Sequence, residues 1–66
     1  MLVATLYLND QAGPTCTEED YPYLMEYLQD EILDGIKKGI KKDLLVRVHE
    51  ISQEEYDAIP EFLGFK

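Results

Sequence analysis

The chain has 66 residues, with 14 Asp or Glu against 6 Lys or Arg, so its formal net charge at pH 7 is -8. This length predicts one domain, residues 1–66, with a small core. The single cysteine, Cys16, excludes an internal disulfide, and with the single histidine, His49, it cannot form a Cys/His zinc site within one chain. Direct binding to nucleic acid or to an anionic membrane is disfavoured, because contacts with phosphates need Lys and Arg.

Residues 2–8 alternate in the manner of a strand, and the following residues read as a loop. One strand face is expected to carry Leu2, Ala4, Leu6 and Leu8, and the other Val3, Thr5 and Tyr7. The pair Gly13-Pro14 predicts a loop over residues 9–17. The uncharged stretch 1–9 is too short to span a bilayer and lacks the positive flank of a signal peptide. We therefore expect a cytoplasmic protein, in the host cytoplasm if it is viral.

A long helix is predicted next. Pro22 is tolerated only in the first turn, which makes Asp20 the best N-cap and leaves an earlier cap at Thr17 too distant. At 100° per residue, one face of this helix is apolar and is expected to be buried: Tyr21, Leu24, Met25, Leu28, Ile32, Gly35, Ile36 and Gly39. Gly39 suits the C-terminal stop. Four lysines suit the negative end of the helix dipole, with a basic binding patch as the alternative interpretation: Lys37, Lys38, Lys41 and Lys42.

Residues 44–51 read as a second strand, and a short helix is predicted to start after Ser52. Leu44, Val46 and Val48 are expected on the inner face of that strand, with Arg47 and His49 outside. Ser52 and Glu55 match a capping box, and Pro60 limits the helix. The apolar tail, residues 61–66, either closes the core or docks on a partner.

These elements predict an α/β fold of the β-α-β-α type, in which two strands pack on one long amphipathic helix. A strand–helix–strand unit normally has parallel strands. Because a two-stranded sheet leaves its edges open, we expect a homodimer that completes a four-stranded sheet.

The chain offers no recognisable site for chemistry. No sequence context links Cys16 with His49, no glycine-rich phosphate loop is present, and residues 9–13 break the spacing of an EF-hand. The run Glu18-Glu19-Asp20 suits a helix N-terminus better than a cation site. We therefore expect neither an enzyme nor a bound cofactor or metal.

The opposite face of the long helix is the strongest functional signal. Glu26, Asp30 and Asp34 recur every four residues, about 6 Å apart along the axis, beside Tyr23 and Tyr27. Two interpretations compete, a solvated face that keeps the domain soluble and an interaction surface with tyrosine anchors. In the second, a regular row of carboxylates occupies a groove built for nucleic-acid phosphates.

In size and charge the chain is similar to the small acidic proteins that bacterial viruses use against host defences, such as anti-CRISPR proteins and uracil-DNA glycosylase inhibitors. That similarity implies an inhibitor of a basic, nucleic-acid-handling partner. The predicted partner-binding residues are Tyr23, Glu26, Tyr27, Asp30 and Asp34, extended by Glu18, Glu19 and Asp20. The alternative is a small dimeric structural or regulatory subunit that uses its strand edge and its apolar tail through Phe62, Leu63 and Phe65.

Overall fold

The computed structural model describes residues 1–65. The elements, in chain order, are β1 (Leu2–Leu8), β2 (Gln11–Cys16), α1 (Tyr21–Lys38), β3 (Leu44–Glu50) and α2 (Gln53–Asp57). The three strands form one antiparallel sheet in the order β2-β1-β3. The predicted α/β class is confirmed, and the prediction of two strands is wrong by one.

The additional strand, β2, occupies most of the segment predicted to be a loop. Asn9 and Asp10 have φ values of 48° and 70°, and a two-residue hairpin of type I′ needs positive φ at both positions. Further along, Gly13 and Pro14 together stand opposite the single residue Leu6, which is a β-bulge. Proline is tolerated at an edge strand or a bulge, and Pro14 lies at both. The loop prediction was wrong because it took Gly13-Pro14 as the end of pairing.

The sheet is antiparallel throughout, so the prediction of parallel strands was also wrong. The β1–β2 hairpin reverses the chain before α1 begins. The helix therefore connects β2 to β3, and these two strands run in the same direction on either side of β1. β1 is the central strand, and Leu2–Leu8 pairs over its whole length with Leu44–Glu50.

The predicted N-caps of both helices and the predicted C-terminal stop of α1 are confirmed. Asp20 occupies the N-cap position of α1, and its side chain makes no capping hydrogen bond. Gly39 ends the helix at φ 68°, a left-handed conformation that glycine adopts without strain. In α2, the Ser52 hydroxyl accepts from the Glu55 backbone N–H, and the Glu55 carboxylate accepts from the Ser52 N–H, which completes the capping box.

The core lies between α1 and the β1–β2 half of the sheet. Leu6, Cys16 and Leu24 form the buried cluster, with Met25 and Leu28 packed partly against it. The helix contacts β1 and β2 and barely reaches β3. In its second half, the predicted buried face of α1 is buried only at Gly35, which lies against the segment of Ile40 and Lys42. Four of its predicted members are exposed, which corrects that expectation: Tyr21, Ile32, Ile36 and Gly39.

The inner face of β3 is assigned correctly but is poorly covered. Val46 pairs with Leu6 and Val48 pairs with Ala4, so both valines point to the helix side of the sheet. Val48 nevertheless keeps 69% of its surface exposed and Val46 keeps 40%, because α1 lies over the other two strands. The apolar pattern identified which way these side chains point, and not how far the helix reaches.

The tail closes the opposite side of the core, which is one of the two outcomes expected for it. Phe65 packs against the core cluster and lies over Gly13. A row of edge-to-face aromatic contacts continues from it, with ring centroids 5.0 Å apart for Phe65 and Phe62, 4.9 Å for Phe62 and Tyr27, and 5.2 Å for Tyr27 and Tyr23. This aromatic row joins the tail to the first half of α1.

Candidate protein-binding surfaces

The predicted acidic ridge on α1 divides into two parts. Glu26 and Asp30 are exposed, and within residues 1–65 neither lies at ion-pair distance from a Lys or Arg. Asp34 instead lies between two lysines, 2.9 Å from Lys38 Nζ and 2.7 Å from Lys42 Nζ. Only the first two carboxylates of the ridge present an uncompensated charge.

Lys42 is the residue that compensates this end of the ridge. Its side chain is largely buried, and its ammonium donates to Asp34 and to Glu31, each at 2.7 Å. The hydrogen bonds from Lys42 and Lys38 lower the pKa of Asp34, and those to Asp34 and Glu31 raise the pKa of Lys42. The sequence could not reveal this bridge, because Lys42 lies beyond the end of α1 and folds back over it.

The two tyrosines of the predicted site contact the protein's own tail. The Tyr23 hydroxyl donates to the Phe62 carbonyl oxygen at 3.3 Å and lies 3.5 Å from the Tyr27 hydroxyl. The hydrogen bond with Tyr27 is the main cause that raises the pKa of Tyr23 to about 12. Tyr27 is half-buried between Tyr23 and Phe62, while Tyr23 remains 41% exposed.

A larger acidic surface gathers at the end of the molecule where α1 begins. The start of β1 pairs with the end of β3, and the Tyr56 hydroxyl of α2 lies 3.5 Å from Asp20 Oδ2, so these segments meet there. We call this surface the acidic end and define it by eight exposed carboxylates: Glu18, Glu19, Asp20, Glu50, Glu54, Glu55, Asp57 and Glu61. Within residues 1–65, none of the eight lies at ion-pair distance from a Lys or Arg.

Sequence reasoning identified the first three members of the acidic end and missed the other five. The signal was present as a second run of acids, residues 50–61, which contains no Lys or Arg. Only the fold brings this run beside Glu18–Asp20. Within residues 1–65, the lysines lie at the other end of the molecule, in the last turn of α1 and the loop that follows: Lys37, Lys38, Lys41 and Lys42. The net charge is therefore strongly polarised along a molecule that measures 39 × 20 × 19 Å.

A second surface is apolar and lies where α1 fails to cover β3. We call it the open flank and define it by six exposed side chains: Leu2, Ile32, Ile36, Ile40, Val46 and Val48. A groove of about 230 Å³ runs beneath the isoleucines, and Glu31 and Lys42 form its polar part. Ile36 keeps 74% of its surface exposed, which is unusual for a residue on the apolar face of an amphipathic helix.

The outer face of the sheet carries the buried Val3 and a buried polar group around Thr5. The Thr5 hydroxyl is buried there and lies 2.8 Å from both His49 Nε2 and the Thr15 hydroxyl. Cys16 lies on the helix side, where burial is the main cause that raises the pKa of its thiol. Because Cys16 and His49 project from opposite faces of the sheet, they do not form a dyad.

The described residues contain no group of three or more His, Cys, Asp or Glu side chains arranged to hold a metal ion. Among the same residues, neither helix combines the length and the apolar character needed to cross a membrane. Comparisons of the chain with protein-family models, with curated proteins and with solved structures find no match.

Proposed function

We propose that this protein is a non-enzymatic interaction module that binds a basic partner protein through the acidic end and the neighbouring carboxylates of α1. The supporting observation is the concentration at one end of an elongated molecule of eight exposed carboxylates, none of which lies at ion-pair distance from a Lys or Arg within residues 1–65. A field of this kind attracts a positively charged surface over a distance of about one Debye length. It also repels nucleic acid and anionic membranes.

More specifically, we propose that this binding inhibits the partner protein. Lys- and Arg-rich grooves that accept nucleic-acid phosphates are a natural complement to rows of carboxylates, so the partner is a nucleic-acid-handling protein whose groove the acidic end occupies. The action is in the style of anti-defence proteins of bacterial viruses, and it takes place in the cytoplasm. Glu26 and Asp30 extend the contact along α1, and Tyr23 supplies an exposed aromatic group beside them.

Charge reversal on the proposed surface, with one reversal at the other end of the molecule as a control, tests this proposal. Glu26→Lys/Asp30→Lys reverses two exposed carboxylates of α1 on the proposed surface, and Glu19→Lys/Glu54→Lys reverses two at the acidic end. Asp43→Lys is the control, because it changes the same kind of charge at the other end of the molecule. Circular dichroism should show the same helix content in all variants, since these side chains are exposed.

The readout is capture of proteins from a cell extract at low and at high salt. We expect the wild type and Asp43→Lys to retain a basic protein that high salt or added duplex DNA releases, and both double variants to lose it. Undiminished capture by the double variants would contradict the proposed surface. Release by salt but not by duplex DNA would contradict the inhibitor form and leave a basic partner of another kind.

A second candidate function is a small dimeric structural or regulatory subunit, and the open flank beside β3 favours it. The tail has a smaller part in this candidate than the sequence indicated, because Phe62 and Phe65 pack internally and only Leu63 is strongly exposed, at 87%. Truncation after Pro60 would therefore damage the core. Substitutions on the open flank are the cleaner test.

A further inference from the structure

The two edges of the sheet are unequal. The β2 edge contains Pro14 and a bulge and lies beside the tail, and each of these features blocks the addition of another strand. The β3 edge is seven residues of regular strand without proline or bulge. A free edge of this kind presents a row of unpaired backbone N–H and C=O groups. A further strand can therefore pair with the β3 edge but not with the β2 edge.

We propose that β3 pairs antiparallel with β3 of a second copy about a two-fold axis at Val46, which gives a six-stranded sheet in place of the expected four. This inference rests on the proposed dimer and specifies its edge, its register and its apolar contact. In an antiparallel two-fold pairing centred on Val46, each residue faces the residue of the second copy that lies equally far from Val46 in the opposite direction. Val46 then faces its own copy, and Leu44 faces Val48.

Charge complementarity selects this register. With the axis at Val46, Glu50 faces position 42 of the second copy and lies beside the exposed Lys41, while the Lys42 ammonium stays bonded to Glu31 and Asp34 within its own chain. The acidic end of one copy consequently lies beside the lysine-bearing end of the other, which opposes the repulsion expected between two chains of charge -8. The polarised charge that favours a basic partner thus also favours antiparallel self-pairing.

The neighbouring registers place unfavourable pairs together. An axis at Arg47 sets the two guanidinium groups directly opposite each other and places Glu50 against Leu44. An axis at Val48 places Glu50 against Val46, and Arg47 against His49. Like charges facing each other destabilise a sheet, and so does a carboxylate among apolar side chains.

The apolar area available is sufficient for a modest dimer. The six side chains of the open flank expose on the order of 600 Å² per copy, at the upper limit for apolar patches on monomers, and stable interfaces bury about 800 Å² per partner. The new backbone ladder adds to that area. Pairing at β3 brings the open flanks of both copies to the same face of the continuous sheet, on either side of the axis.

Cysteine cross-linking tests the register directly. Val46→Cys, Arg47→Cys and Val48→Cys are prepared in the otherwise unchanged chain, where buried Cys16 serves as the background. Facing residues in an antiparallel pair have Cβ atoms about 5 Å apart. With the axis at Val46, the two Arg47 positions lie diagonally, about 7–8 Å apart, and the two Val48 positions are offset by four residues, about 13 Å along the strands. We expect mild oxidation to form a disulfide dimer rapidly with Val46→Cys, and at least tenfold more slowly with the other two.

Sedimentation equilibrium tests the dimer itself. The wild type should reach twice the mass of the 7.7 kDa chain as concentration rises, and Val46→Lys should remain monomeric because it places two ammonium groups on the axis. Leu63→Lys is the control, since it adds the same charge at an exposed site away from β3, and it should still dimerise.

The outcomes separate this inference from the proposed function. A wild type that stays monomeric at all concentrations would overturn the dimer, while salt-sensitive capture of a basic protein would still stand. A dimer in which Arg47→Cys or Val48→Cys cross-links faster than Val46→Cys would overturn the register. Loss of capture by the charge-reversal variants, with an intact dimer, would leave this inference unaffected.

Discussion

The face of the sheet on which α1 packs has two halves, and they differ in what covers them. Over β1 and β2, the first half of α1 and the tail bury Leu6, Cys16 and Leu24 almost completely. Over β3, the same face leaves Val48 and Ile36 largely exposed. The residue types are equally apolar in both halves, so composition does not explain the difference. The lateral position of one helix on a three-stranded sheet decides which apolar residues stabilise the monomer and which remain available to a partner.

The largest expected effect comes from truncation in the covered half. Leu24→Ala leaves a cavity in a small core, and such substitutions cost about 2–5 kcal/mol, which is comparable to the whole stability expected of a chain this short. We expect the variant to be largely unfolded. Ile36→Ala on the same helix should change the free energy of unfolding by less than about 0.5 kcal/mol. Urea denaturation at a low, monomeric concentration provides the measurement, and similar losses in both variants would abolish the distinction between the halves.

The contact between the tail and β2 should give the next largest effect. A Cβ atom at Gly13 would collide with the Phe65 ring and lie 2.9 Å from the Leu6 carbonyl oxygen. Gly13→Ala is therefore expected to destabilise the protein by about 1–3 kcal/mol, the range for overpacking. Gly64→Ser provides a comparison, because a Cβ atom there has no atom within 4 Å, although its φ of 123° adds strain. Phe65→Ala combined with Gly13→Ala should recover only part of the loss, since the carbonyl contact remains.

The Lys42 bridge should have a smaller and more local effect. Lys42→Met keeps most of the side-chain volume and removes the ammonium group that joins Glu31 and Asp34. We expect a slight decrease in the urea midpoint and faster amide hydrogen exchange in residues 40–44, where α1 meets β3. Lys41→Met is the matched control, because Lys41 is exposed and makes no ion pair among the described residues. Equal exchange in both variants would show that the bridge does not fix this segment.

The smallest expected effect is the acid sensitivity of the same bridge. The pKa of Asp34 is lowered in the folded protein, so its contribution to stability is present above its ordinary pKa of 3.8 and is lost as pH falls through the lower, folded value. In the Asp34→Asn variant, the free energy of unfolding should therefore fall less steeply below about pH 4 than in the wild type. Asp30→Asn, which has no cation at ion-pair distance within residues 1–65, should not. Chemical denaturation at a series of pH values gives both slopes.

Local signals in the sequence were reliable. Pro22, Gly39 and Ser52 fixed the helix ends because each residue restricts its own backbone or satisfies a neighbouring N–H. The strand faces were also assigned correctly, since alternation depends only on neighbouring residues. β2 was missed because Gly13 and Pro14 normally interrupt pairing, and the positive φ at Asn9 and Asp10 gives no strong signal without glycine.

The candidate surfaces depended on long-range geometry and were therefore harder to predict. The sequence separates Glu18–Asp20 from residues 50–61 by thirty positions, and only the sheet register brings them together. Asp34 appeared to be unpaired because Lys42 is eight residues away and beyond the end of the helix. The open flank could not be predicted at all, because periodicity indicates the apolar face of α1 and gives no information on which strands it covers.

The central position of β1 has a consequence for synthesis. Of the three strands, β1 is synthesised before the other two, and it is the one that needs neighbours on both sides. Its hairpin partner, β2, follows within a few residues, whereas β3 ends at Glu50 and pairs with residues more than thirty positions earlier. Contacts between distant residues form slowly. We therefore expect β1, β2 and α1 to associate first during translation and the β3 ladder to form last, and pulsed hydrogen exchange on stalled nascent chains would record that order.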